Sequence, residues 1–200
     1  LDTTIDIDDP ARLRQWSIGD AISGGLRWSR AVRLGGIRVA SDFSLQPGLV
    51  TMPLPDFFGD AAVPSNVDVL VGATRVYEGK VDGGPFELHE IPVVGGGGEV
   101  TVVLRDSLGR ETRSTFSSYG SNSLLADGLA SYAFDAGLIR QNYGQQSFDY
   151  GDFAGTATLR YGLSDYLTLE AHGEAISGTA LGGLGGVLSL SPVGVFEFGG

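Results

Sequence analysis

Asp42-Phe43-Ser44-Leu45-Gln46-Pro47-Gly48, then Thr51-Met52-Pro53-Leu54-Pro55, breaks a chain of alternating strands and opens a turn-rich segment of another kind. It continues through Pro64-Ser65-Asn66-Val67-Asp68-Val69-Leu70-Val71, Gly84-Pro85-Phe86-Glu87-Leu88 and Glu99-Val100-Thr101-Val102-Val103-Leu104-Arg105-Asp106-Ser107-Leu108-Gly109-Arg110-Glu111. Val67 to Val71 leads through Gly72-Ala73 into Arg75 to Gly79, which is a hairpin pattern. Glu99 to Arg105 and Glu111 to Phe116 flank a turn with Gly109 at a left-handed position. Phe86, Leu88 and Glu90 are expected on one face of a strand. Gly95 to Gly98 reads as a loop, and not a phosphate loop, because no Lys-Ser/Thr pair follows it. Five or six short strands between Pro47 and Tyr119 fit a small two-sheet sandwich.

On either side the rhythm differs. Residues 2–9 alternate until Pro10 ends the run, Arg12 to Ile18 reads as a short turn, and Asp20 to Gly25 as a loop. Arg30 to Phe43 is a long strand candidate with a bend at Gly35-Gly36. Ala11 to Gln15 and Leu124 to Leu129 are the only weak helix candidates. From Leu129 onward, Tyr132, Phe134, Leu159, Tyr161, Leu167 and Leu169 fall on apolar faces, while Arg160, Glu170, His172 and Glu174 fall on polar ones. Apolar outside and polar inside is the arrangement of a wide transmembrane barrel, whose strands need only about 10 alternating residues each. The expected fold is therefore all-β: a partial transmembrane β-barrel of antiparallel strands carrying an inserted small β-sandwich. Residues 1–49 and 119–200 supply the barrel and 50–118 the insert. A water-loving domain spliced into a membrane barrel implies a gated pore.

Composition narrows the function classes. Thirty-two glycines in 200 residues are more than twice the usual share of about 7%, with no period of three that would indicate collagen. No run of 18 apolar residues exists, so a transmembrane helix is excluded. The net charge of -11 is uneven: residues 1–47 balance, 48–119 carry ten acids against five bases, and 120–200 carry eight acids against Arg140 and Arg160. Such a chain repels phosphate backbones, so no nucleic-acid partner is expected. The acids either face a pore or simply solubilise. Without cysteine there is no disulfide framework or thiolate chemistry. The first residues show no basic stretch followed by an apolar core, so no signal peptide is expected, and Leu1 in place of Met leads us to expect a piece of a longer protein.

These motifs resemble the fimbrial usher family, the outer-membrane proteins of chaperone–usher pilus assembly. The likeness runs from Leu1 to Arg14 and Gly19-Asp20-Ala21-Ile22-Ser23 through the Val32 to Phe43 strand, Gln46-Pro47-Gly48 and Pro53-Leu54-Pro55. It continues with Val67-Asp68-Val69, the specific Gly84-Pro85-Phe86-Glu87-Leu88, Leu104 to Glu111 and Tyr161 to Leu169. Asp82-Gly83-Gly84-Pro85-Phe86 stands where similar ushers tend to have Pro-Pro-Gly-Pro-Phe, and Gly72-Ala73 where Asn-Gly is usual. The resemblance implies that residues of about 50–118 form the plug, or middle domain. It implies a bacterial outer-membrane location, pilus subunits and a periplasmic chaperone as partners through the full-length protein, and contact with outer-membrane lipid. It also implies translocation without enzyme chemistry or cofactor.

Candidate sites for chemistry are sparse. His89 and His172 lie in different modules and neither has metal-ligand spacing. Asp6, Asp8 and Asp9 lack the glycine and closing glutamate of a calcium loop. There is no Gly-x-Ser-x-Gly elbow, and Glu87 with Glu90 reads as a solvated face. Pro85, Phe86 and Leu88 are expected to shape the insert's core. Arg75, Glu78, Lys80, Glu90, Arg105, Arg110 and Arg113 are candidates for plug-to-lumen ion pairs, or for mere solubilisers. Leu45 to Pro55 and Ser117 to Ser123 are candidate hinges. The competing expectation is a soluble secreted β-sandwich acting as a binding or adhesion module. It would leave the band from Tyr132 to Leu169 unexplained.

Overall fold

Alternating side chains put one apolar and one polar face on an extended chain, and glycine-bearing turns let successive runs pair. The computed structural model, which describes residues 3–92, 96–143, 145, 146, 148–190 and 194–200, contains fourteen strands. The wall consists of β1 (Thr4–Asp9), β2 (Arg14–Ile22), β3 (Arg33–Ser41), β10 (Ala130–Arg140), β11 (Tyr150–Ser164), β12 (Leu167–Ile176), β13 (Thr179–Leu190) and β14 (Gly194–Gly199). They form one antiparallel sheet in the order β1-β2-β3-β10-β11-β12-β13-β14. Between them come β4 (Phe57–Ala61), β5 (Ser65–Val71), β6 (Thr74–Val81), β7 (Gly84–Leu88), β8 (Gly96–Asp106) and β9 (Glu111–Gly120). Among the described residues no helix is long and apolar enough to cross a membrane.

The wall is built inside out. Ile18, Ile37, Phe134, Leu159, Tyr161 and Leu169 lie on one face and are exposed, whereas Ser17, Asp135, Thr156, Thr158, Thr168 and His172 lie on the other and are buried. Burial of the polar face and exposure of the apolar one is the reverse of a soluble sheet.

The insert's polarity is ordinary. The four-stranded β6-β5-β8-β9 sheet and the β4-β7 pair enclose Val67, Val69, Leu88, Ile91, Val100 and Val102, with Phe57, Phe86 and Phe116 packed against them. Gly72 at φ 59 makes the two-residue β5–β6 turn, where a left-handed residue matches strand twist.

Several expectations fail locally. Arg14 to Ile22 is a strand, not a turn followed by a loop, and the helix candidates yield only a single 3-10 turn at Pro10–Arg12. Gly96 to Gly98 pair with Ser118 to Gly120 as the start of β8, not a loop, while Gly95 lies outside the described residues. Glu90 lies beyond β7 at φ 52, so it does not extend the Phe86–Leu88 face.

Candidate functional site

The foot of the insert is where two modules of opposite polarity meet. β3 and β10 pair directly from Leu34↔Ile139 to Ala40↔Ala133, so residues 42–129 leave and re-enter the wall at one end. The return segment is tied to the wall. Leu124 and Leu125 are buried, the Leu125 N–H donates to Thr168 Oγ1 at 2.8 Å, and Arg160 donates to the Ser123 carbonyl. Its backbone lies flat on Gly162, where an added Cβ would stand 2.2 Å from the Ala126 oxygen. The outgoing segment joins it through Ala126 N–H to Thr51 O at 3.0 Å. Beside these links lies a cleft of about 490 Å³ lined by Pro53, Leu54, Pro55, Phe58, Phe116 and Tyr166 among others. The return hinge expected over Ser117 to Ser123 is thus strand up to Gly120 and anchored from Ser123 onward.

The inner face of the wall carries charge in cross-strand pairs. Arg38 meets Asp135 at 3.0 Å and Arg160 meets Glu170 at 2.9 Å. The β2–β3 connection, residues 23–32, folds across this face as a strap. Its Gly24 N–H donates to Asp135, its Gly24 carbonyl accepts from Thr158, and Trp28 Nε1 donates to Glu170 at 3.0 Å. The Trp28 ring lies over Gly183, Gly185 and Gly199, where any Cβ would stand 2.5–2.8 Å from indole atoms. Arg27 reaches Glu197 at 3.1 Å. The strap leaves only one trace in the sequence, the flat run Gly182-Gly183 and Gly185-Gly186.

Of the residues singled out from sequence, Arg160, Glu170, His172 and Glu174 share the inner face, and Phe134, Leu159, Tyr161 and Leu169 the exposed outer one, with Tyr132 and Leu167 partly covered there. Leu88 is core, Phe86 is packed against it, and Pro85 is exposed on β7. Among the described residues, the partners of the charges proposed for plug-to-lumen pairing are internal to the insert. Arg75 contacts Asp68 and Glu78, Arg105 and Arg113 contact Glu111, and Arg110 contacts Asp106. Lys80 and Glu90 are exposed. The β8–β9 hairpin places Arg105 opposite Glu111, so the Arg105, Arg110 and Arg113 contacts brace its turn. His89 stands between Asp56 at 3.6 Å and Glu87 at 3.4 Å in an exposed cluster. Such exposed pairs contribute about 0–1 kcal/mol each.

The turn has a pH signature. The Arg110 backbone N–H, followed by the Arg110 side chain, holds the Asp106 carboxyl below its usual range, and hydrogen bonds from Arg105 and then Arg113 do the same for Glu111. A depressed folded value means the contribution is present above the unfolded range of about 4 and lost as pH falls through the lowered folded values. Amide NMR shifts of Leu108 and Arg110 are therefore expected to move only below about pH 4, and Asp106→Asn to remove most of that movement. Movement centred near neutrality would contradict the assignment.

Comparison with known proteins extends these observations. Residues 18–180 match the family model for "Outer membrane usher protein". The chain is 28% identical over 169 residues to the outer membrane usher protein FocD of Escherichia coli, which covers 84% of this chain and 19% of that protein. It is 30% identical over 139 residues to the F1 capsule-anchoring protein of Yersinia pestis, covering 70% of this chain and 16% of that one. It thus spans about a fifth of the length of these relatives. In fold it is similar to a chain of an E. coli P pilus tip assembly intermediate, PapC-PapD-PapK-PapG, with TM-score 0.61 and 19% identity, covering 98% of this chain and 24% of that chain. The P pilus usher (PapC) translocation pore gives TM-score 0.50 and 18% identity, covering 99% and 39% respectively.

Proposed function

From the premise that this chain belongs to the outer membrane usher family, we propose that it is a stretch of pore wall together with the plug that gates the pore. The full-length protein then passes pilus subunits, delivered by a periplasmic chaperone, across the bacterial outer membrane without enzyme chemistry. The observation that carries the reading is the direct pairing of β3 with β10 while a separately cored domain hangs from the gap between them. A wall that stays continuous past an insertion can keep its seal while the insert moves. Eight strands in an open sheet are part of a wall, and β1 and β14 are the edges where neighbouring strands of the full-length protein pair.

The turns support an orientation. At the insert's end β11 and β12 are joined by the two residues 165 and 166, and β1 and β2 by residues 10–13; at the far end residues 177 and 178 make one equally short turn, but the longer separations, ten positions between β2 and β3 and nine between β10 and β11, both lie there. Short turns face the periplasm in outer-membrane barrels, which puts the plug's foot on the periplasmic side. The exposed apolar band gives the soluble-sandwich alternative no support.

Replacing residues 57–120 of the full-length protein by a short Gly/Ser linker tests the gate. If the resting open state is populated at about 0.1–10%, mean conductance in planar bilayers should rise about 10- to 1000-fold. A conductance equal to that of the parent would refute gating by this domain.

A further inference from the structure

His172 lies on the inner wall beneath the strap, and its Nε2 is buried without a hydrogen-bond partner among the described residues. The proton inventory around it is decided by Thr158. That hydroxyl has one hydrogen, and it is directed to the Gly24 carbonyl at 3.1 Å. Toward His172 Nδ1, also 3.1 Å away, Thr158 Oγ1 must therefore accept, so Nδ1 carries the ring proton. In the neutral ring Nε2 is then a bare lone pair, and the Glu174 carboxylate stands 3.8 Å from it. Beside them is a cavity of about 320 Å³, lined also by Trp28, Ser29, Arg30 and Leu181 and floored by Gly182 and Gly183.

The geometry points to a divalent transition-metal site, with His172 Nε2 and a Glu174 oxygen as protein ligands and water completing the coordination. Nitrogen and oxygen ligands of one tetrahedral zinc stand about 3.4 Å apart, so a small swing of the Glu174 side chain suffices. The Thr158 contact supplies the outer-sphere hydrogen bond that fixes tautomer and ring orientation in metal-binding histidines. An imidazole–carboxylate pair favours Cu²⁺ over Ni²⁺ and Zn²⁺. The site is independent of the translocation reading.

The test uses the full-length protein in detergent micelles, stripped with chelator and titrated with Cu²⁺. The Trp28 ring is 6.0 Å from the His172 ring, so bound copper should quench its fluorescence. Saturable quenching is expected in the parent and in Trp16→Phe and His89→Gln, and the copper EPR spectrum should show one imidazole nitrogen. Thr158→Val should weaken binding about tenfold, and His172→Gln or Glu174→Gln should abolish it. Quenching that survives His172→Gln, or vanishes in His89→Gln, overturns the proposal. Should His172→Gln fail to fold, the parent's EPR spectrum and the partly exposed Glu174→Gln variant decide. A spectrum without nitrogen coupling, or unchanged binding in Glu174→Gln, sinks it.

Discussion

Phe134→Arg in the full-length usher is expected to destabilise the wall by about 2–4 kcal/mol when unfolding is measured from phospholipid vesicles. Phe134 is 51% exposed and lies next to the centre of β10. It pairs with Val39 on one side and Ala157 on the other, and the same row continues to Trp16 and Gly173, so it occupies the middle of the sheet's height. In water, an exposed phenylalanine exchanged for arginine changes stability by about 0.5 kcal/mol or less. In hydrocarbon the guanidinium has no partner, and the nearest aqueous phase is half a strand away. Denaturant titration of vesicle-inserted protein therefore separates the two environments, with Phe134→Leu as the control that keeps the apolar face. A cost for arginine no greater than that for leucine would mean that the band faces water or another protein, and the reading of this sheet as membrane wall would fail.

How much of this was written in the chain depends on how local the cause is. The strands from Leu129 onward are legible because each alternates by itself: Tyr132, Phe134 and Leu138 against Ala133, Asp135 and Gly137 needs no distant information. β2 is not legible for the opposite reason. Asp20 interrupts the apolar parity set by Trp16 and Ile18, and it is tolerated only because Arg140, far along the chain, reaches it. Gly96 to Gly98 lack any strand propensity of their own, and the ladder to Ser118–Gly120 holds them extended. The partners of the insert's charges are not legible from the chain either. Register decides that Arg105 faces Glu111, and register is a property of the hairpin, not of either residue. The strap is the extreme case: Trp28 needs a flat floor, and the glycines that provide it lie on β13 and β14.

The Asp20–Arg140 pair also carries a large energetic consequence. By register Asp20 pairs with Gly35 and Gly35 with Leu138, and the β10–β11 ladder shifts register between Leu138 and Arg140, so the pair is buried at the irregular far end of the sheet. Side-chain exposure is 3% for Asp20 and 1% for Arg140, and their closest approach is 3.1 Å. Tyr150 closes the group, donating from its hydroxyl to Asp20 at 2.9 Å and accepting from Arg140 at 2.8 Å, while its ring lies over Gly35. Removing one partner leaves the other charge uncompensated in a low dielectric, so Asp20→Ala is expected to cost about 3–5 kcal/mol. Removing both should cost much less, because the desolvation of two ions disappears with their attraction. The double variant Asp20→Ala/Arg140→Leu should thus recover most of the loss, and a double-mutant cycle on the vesicle-inserted protein measures the coupling. If Asp20→Ala costs under about 1 kcal/mol, the value of a solvated pair, then water reaches these groups and the far end of the wall is wetter than its packing indicates. A large loss with rescue instead identifies a charge pair spanning β2 and β10 across β3, which ties together the strands on either side of the plug's insertion point where local alternation alone would have left β2 unassigned.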